Sequence, residues 1–182
     1  SMKDDKGMVT IPGFYDDVQP LSKAEKEAIA QIPDVVPTLQ TELMMIHPDG
    51  DGRNFQELLN IPTLNINGFA AMNVGSMASN IIPAEATAAL DLRLVKGNTV
   101  EGQFNKVKRY IESKGYTVLD HEPTAEERKK YPLIAKLTMN DGAYPAQKTP
   151  MDLPIAQQVI AAIQSTTTDA VIKIPTVGGS LP

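Results

Sequence analysis

The strongest constraint on the fold is a change of hydrophobic period between residues 86 and 114. Over 86–95, Ala88, Leu90, Leu92 and Leu94 fall on one side of an alternation and Asp91, Arg93 and Val95 on the other, the period-two pattern of a half-buried strand. From Thr99 the period lengthens. Val100, Phe104, Val107 and Ile111 recur at steps of three and four, and Gly115 follows where a helix end favours a left-handed residue. An earlier alternation at 63–67, Leu64 and Ile66 against Thr63, Asn65 and Asn67, ends at Gly68, and residues 116–119 give a later strand. The order strand, strand, helix, strand predicts an α+β unit: an antiparallel sheet with helices on one face.

The flanks are less regular. Met8-Val9-Thr10-Ile11 reads as a short strand entering a Pro12-Gly13 turn, and Ser22 with Glu25 forms a capping box for a helix that stops at Pro33. Residues 35–46 suggest a second helix, 47–52 a turn rich in Pro, Asp and Gly, and Asn54 the cap of a short helix reaching Leu59. The charged segment 122–130 reads as a linker or boundary. Beyond it, Asp152 and Pro154 mark a helix with the stripe Ile155, Val159, Ile160 and Ile163, and 170–174 reads as a buried strand ending in Pro175-Thr176-Val177-Gly178-Gly179-Ser180. The predicted division is 1–60, 61–121 and 122–182.

Composition excludes several classes of function. Acidic residues outnumber basic ones, 22 to 17, with no basic block, which argues against a nucleic-acid partner. No apolar run approaches the roughly 20 residues of a membrane span. The absence of cysteine removes thiol nucleophiles and Cys-ligated zinc, and is silent on compartment.

Candidate chemistry is sparse. His47-Pro48-Asp49 has a His-x-Asp spacing that suits a metal site, but a surface turn explains the same residues. A calcium loop starting at Asp49 fails because its twelfth position is Asn60 rather than Glu. No G-x-S-x-G elbow or phosphate loop occurs. The paired glycines before Ser180 would let backbone N–H groups approach a carboxylate or oxyanion, or simply form a tight turn. Arg93 is the most pointed candidate. Its guanidinium on an apolar-rich strand needs solvent or a carboxylate, and its planar fork suits bidentate carboxylate binding; the competing reading pairs it with Asp91 on the surface. Asn80, ahead of Ile81-Ile82-Pro83, fits a ligand contact or a turn.

Several stretches resemble one family, the di-zinc exopeptidases that include aminoacylase, carnosine dipeptidase, acetylornithine deacetylase and succinyl-diaminopimelate desuccinylase. The dodecamer GMVTIPGFYDDV at 7–18 is similar to the segment after the first helix of that family's lid domain. PTLNINGF at 62–69, NIIPAEA at 80–86 and DLRLV at 91–95 look like the lid's central strands, in family order, and YPA at 144–146, MDLP at 151–154 and PTVGGSLP at 175–182 look like the re-entry into the catalytic domain.

The resemblance implies a partial ferredoxin-like lid joined to an α/β segment of the catalytic domain, and a homodimer formed through the lid. It implies peptide or N-acyl amino acid substrates, contacted by Arg93, Asn80, Gly178, Gly179 and Ser180. The family's two zinc ions, or similar divalent metals, are held by an early His-x-Asp, a bridging Asp, a Glu pair, a further acid and a late His. None of these matches a position here, so the ligands are expected before Ser1 and beyond Pro182, together with the lid's first strand and helix. The expectation is a fragment that supplies substrate orientation and dimerisation, without catalytic or metal residues and inactive by itself. The alternative is a non-catalytic dimerisation or interaction module.

Overall fold

A computed structural model describes residues 1–178. Its elements run α1 (Lys23–Ala30), α2 (Val36–Glu42), α3 (Phe55–Leu58), β1 (Thr63–Ala70), β2 (Thr87–Arg93), α4 (Val100–Ser113), β3 (Thr117–Leu119), α5 (Ala125–Lys130), β4 (Ile134–Lys136) and α6 (Pro154–Gln164), with a 3-10 turn at Gly75–Met77 between β1 and β2.

The period change produces the expected centre. β1 and β2 pair antiparallel, with Leu64 opposite Leu92 and Ile66 opposite Leu90. β1 continues past Gly68 because the register slips between Ile66 and Gly68, a bulge that lets the ladder resume as far as Ala70. Thr99 caps α4 by accepting from the Gly102 N–H at 3.0 Å, and Gly115 follows its end with φ at 90°.

One cluster of Val9, Ile11, Phe14, Leu64 and Val107 forms the core, with Leu90, Leu92, Tyr110 and Ile111 packed around it. The dodecamer 7–18 therefore lies on the same face of the sheet as α4. Its Met8–Ile11 portion makes a single antiparallel bridge, Lys3 with Val9, rather than a strand. This segment also changes which residues of α4 are buried. Gln103 and Lys106 join Val107 in the interior, while Phe104 and Ile111 are only half-covered. Gln103 Nε2 donates to the Phe14 carbonyl at 3.0 Å, and the Lys106 ammonium pairs with Asp17, so the dodecamer's polar groups explain two polar residues that periodicity alone would leave outside.

Three expectations need correction. β3 does not extend the β1–β2 sheet; it pairs in parallel with β4 in a separate two-stranded sheet, Val118 beside Ala135. A parallel pair requires a crossover, and the segment expected to be a linker supplies it as α5, closed by a capping box between Thr124 and Glu127. Residues 170–174 form no strand, and Ile172 and Ile174 are half exposed. A strand needs a neighbouring strand for its backbone groups; among the described residues none pairs with this segment, and the Val171 N–H donates to the Gln164 side chain instead.

Leu64 is 1% exposed at the centre of the cluster, so Leu64→Ala is expected to destabilise the chain by about 3 kcal/mol through lost burial and the cavity left behind. Thr99→Ala, which removes one cap, should cost about 1 kcal/mol. Urea unfolding of the two variants should show that order.

Candidate functional site

The alternation of β2 that turns Leu90 and Leu92 toward the core places Asp91 and Arg93 on the other face, opposite their register partners Asn65 and Thr63. The Arg93 side chain is 67% exposed, and its Nε donates to Asp91 Oδ2 at 2.8 Å. Such a surface pair adds little stability. It does fix the plane of the guanidinium. Among the described residues the bond engages Nε alone, leaving the terminal amino groups as a fork of the shape that grips a carboxylate. Thr63 and Asn65 also line a largely apolar cavity of about 480 Å³, with Tyr15, His47, Phe55 and Leu59 around it.

Asn80 and Gly178 are exposed. Asn80 follows the 3-10 turn, and among the described residues no hydrogen bond joins it to Arg93 or to Gly178. A Cβ on Gly178 would stand 3.1 Å from Leu59 Cδ2, so its backbone lies close against the end of α3. Gly179 and Ser180 lie outside the described residues.

The returning segment is tied to the front of the chain by a buried polar network. Lys148 Nζ donates to Glu25 Oε1 at 2.9 Å and to Asn60 Oδ1 at 3.2 Å, with the Lys148 and Glu25 side chains 10% and 4% exposed. Thr176 Oγ1 donates to the same Asn60 oxygen at 2.7 Å, while Asn60 Nδ2 donates to the Gln56 carbonyl at 2.8 Å. The other Glu25 oxygen accepts from the Ser22 N–H at 2.8 Å. Burial alone would push the Glu25 carboxyl up, but the Lys148 ammonium and the Ser22 amide together hold it below the usual glutamate value. Sequence reasoning missed Lys148, Asn60 and Thr176. Its only trace of the network was the Ser22/Glu25 capping box, because the other partners are far apart in the chain and belong to no periodic pattern.

His121 sits between two carboxylates. Its Nδ1 is 2.8 Å from Asp120 Oδ1 and its Nε2 is 3.1 Å from Glu127 Oε1, the same carboxylate that closes the α5 capping box. The hydrogen bond to Asp120, then that to Glu127, raises the imidazole pKa above the ordinary 6.5. The acids face opposite ends of the ring and do not converge on one point. Asp49, beside His47, is bound to Lys3 at 3.1 Å. Among the described residues no three His, Cys, Asp or Glu side chains gather as a metal site, so the donor set present does not fit a divalent ion. Among those residues, too, no helix is long and apolar enough to cross a membrane.

Comparison with known proteins adds three findings. Residues 22–118, more than half of the 182, match the family model described as a peptidase dimerisation domain. An M20 family metallo-carboxypeptidase of Sulfolobus solfataricus is similar over the whole chain, at 26% identity and a TM-score of 0.69, although the chain covers only 43% of that enzyme. Human carnosine dipeptidase 1 (23% identity, TM-score 0.52) and the dipeptidase Dug1p of Saccharomyces cerevisiae (24%, 0.52) share the fold over 62% and 63% of the chain, corresponding to 25% and 24% of their own lengths. No curated protein sequence matches.

The His121 geometry has a measurable consequence. A raised imidazole pKa stabilises the folded chain fully below the unfolded value near 6.5, and this is lost as pH rises through the folded value. Asp120 and Glu127 are depressed and contribute above the ordinary carboxylate range. The cluster is therefore strongest between the lowered carboxylate and raised imidazole values. NMR titration should place the His121 midpoint above 6.5, and Asp120→Asn should bring it down.

Proposed function

The chain belongs to the peptidase dimerisation-domain family, and on that premise we propose that it is the lid and returning catalytic-domain segment of a metal-dependent peptidase acting on dipeptides or N-acyl amino acids. The observation that carries this reading is the likeness to the Sulfolobus metallo-carboxypeptidase across the entire chain, including the part beyond the family match. In this reading the divisions are 1–60, lid-associated; 61–121, lid core; and 122–182, returning segment, with the β3–β4 pair bridging the last two.

Arg93 holds the free carboxylate of the substrate. Asp91 orients the guanidinium through Nε, and the terminal amino groups donate to the two carboxylate oxygens as a bidentate pair. Asn80 and the backbone around Gly178, Gly179 and Ser180 add contacts to the remainder of the substrate. The metals, two zinc ions or similar divalent cations, belong to residues outside those described, and the isolated chain is inactive.

Homodimerisation is the second proposed role. β1 and β2 form a sheet of only two strands, and their outer half carries Ile66 at 62% and Phe69 at 71% exposure. The connection between them adds Val74, Met77, Ile81 and Ile82, all well exposed. An open strand edge beside so much apolar surface is unfavourable in water, and a second copy paired about a two-fold axis covers both. These exposed residues are also what favours the second reading, a dimerisation module without a substrate, in which Arg93 is only a surface ion pair.

Two measurements separate the readings. Sedimentation should report about twice the 19.7 kDa chain mass, and Phe69→Asp should return it to monomer; a wild-type monomer would remove the dimerisation role. Titration with N-acetylglycine, followed by arginine Nε NMR, should move the Arg93 signal and leave Arg53 and Arg109 in place. Arg93→Ala should abolish that response while changing stability by no more than about 0.5 kcal/mol, since the pair is exposed. An unresponsive Arg93 in a stable dimer would favour the module.

A further inference from the structure

Charged side chains as well buried as Lys148 and Glu25 are costly to desolvate, so the structure around them must supply every partner they need. It does so from three separated parts of the chain. Glu25 lies on α1, inside the stretch that matches the dimerisation domain; Asn60 follows α3; Lys148 and Thr176 lie beyond the end of that match, on either side of α6. Both Glu25 oxygens are used, one by Lys148 and one by the Ser22 amide. Asn60 is the branch point. Its oxygen accepts from Lys148 and from Thr176 together, and its amide group is anchored on the Gln56 carbonyl. Turning the amide over would place NH₂ against the Lys148 ammonium and the amide oxygen against the Gln56 carbonyl, so Lys148 and α3 together fix its orientation.

This arrangement does more than fill a core. Thr176 is two residues before Gly178, whose backbone lies against Leu59, the neighbour of Asn60. Pro175 and Val177 face a groove shared with Ile155 and Val159 of α6, whose apolar side chains are about half exposed, so apolar packing holds this stretch only loosely. The Thr176 hydroxyl is its only side-chain hydrogen bond to the front of the chain among the described residues.

We propose that Asn60 is a positioning residue: it relays the buried Lys148–Glu25 pair to Thr176 and so locks residues 176–178 in place against α3. The inference rests on the peptidase reading for its purpose, because that reading puts substrate contacts at and just beyond Gly178. The lock itself is independent of substrate. Removing any one member frees the segment, and removing a second then adds little, because both act through the same asparagine oxygen.

The test is ¹⁵N relaxation of the Thr176, Val177 and Gly178 amides in the complete chain without substrate; among the described residues none of the three donates a hydrogen bond, so their order reports the side-chain tether. Thr176→Val, close in shape but lacking the hydroxyl, should drop their order parameters into the flexible range, below about 0.6, while β1 and β2 amides stay near the rigid value of about 0.85. Thr176→Ser should restore them, a rescue that a packing role would not give. Lys148→Met should loosen the same amides, Lys148→Arg should largely preserve them, and the Thr176→Val/Lys148→Met double variant should be no looser than the looser of the two single variants. Wild-type order in Thr176→Val, loosening spread evenly through β1 and β2, or additive effects in the double variant would each overturn the proposal. Failure of N-acetylglycine to move Arg93 would count against the peptidase reading and leave these order parameters untouched.

Discussion

The clasp of Phe14, Leu64 and Val107 is the contact on which the other arrangements depend. A two-stranded sheet is barely stable in water alone, and β1 with β2 is such a sheet. It persists because α4 and the dodecamer 7–18 close over the same face, bringing a helix, a strand and an irregular segment into one cluster. The irregular segment is shaped by turn bonds of its own, Phe14 to Ile11, Asp16 to Gly13 and Val18 to Tyr15, and side chains pin it further. Tyr15 accepts the Val9 N–H at 2.8 Å, Gln103 serves the Phe14 carbonyl, and Lys106 pairs with Asp17. Near the end of the dodecamer, at Asp17, and just beyond it at Gln19, the chain passes so close to Gly97 that a side chain there would strike the Asp17 carbonyl; with φ at 103° the position suits glycine alone. The turn leading from β2 into α4 is thereby fitted to the dodecamer, and the outward face of β2, with Arg93 on it, takes its orientation from that fit.

The Lys148–Glu25 network belongs to a different kind of constraint. Burying an ion pair is weak evidence of stability, because the solvation lost is comparable with the attraction gained. What it adds is selectivity among arrangements: any placement of the returning segment that leaves Lys148 or Glu25 unpaired carries a buried charge without a partner. Apolar contacts between α6 and its surroundings could slide by a few ångströms at small cost, and the polar network cannot. The core gives the chain its stability, and the network fixes which docked geometry is kept.

The sequence disclosed what is decided locally and withheld what is decided at a distance. The capping boxes of α1 and α5 and the Thr99 cap lie within four residues; the first was read directly, and Thr99 was read as the start of its helix. The face of β2 bearing Arg93 followed from a period of two, which is intrinsic to the strand. The pairing of β3 with β4 was not legible, since three residues of Ile134–Lys136 carry too little pattern and their partner lies across a crossover. The segment 170–174 misled for a related reason: Val171, Ile172 and Ile174 have strand propensity, but propensity does not supply a neighbour. The burial of Gln103 and Lys106 was not legible, because their partners come from a turn without regular structure. The same limit applies to the site. Arg93 stood out as a charge among apolar neighbours, whereas Asn60 is an ordinary turn residue until Lys148 and Thr176 are placed beside it.

Periodicity also leaves open what covers an apolar stripe. Of the expected α6 stripe, Ile155, Val159 and Ile163 are each about half exposed while Ile160 is partly buried, and Ile66 of β1 is exposed on the same face that carries Leu64. The two surfaces differ in kind. The one on β1 and β2 comes with open strand edges, so an occupant that pairs its own backbone is rewarded in hydrogen bonds as well as in area. The one on α6 has its backbone bonds already satisfied within the helix and offers side chains only, which suits packing against another layer of the same fold. Under the proposed function these demands fall to separate partners: a second copy at the strand edges, and the remainder of the catalytic layer at α6. On the same proposal, the polar network at Asn60, which ties α1 and the end of α3 to residues on either side of α6, is a joint that would hold a dimer contact and a catalytic layer in fixed relation, the condition for Arg93 to meet a substrate bound by that layer.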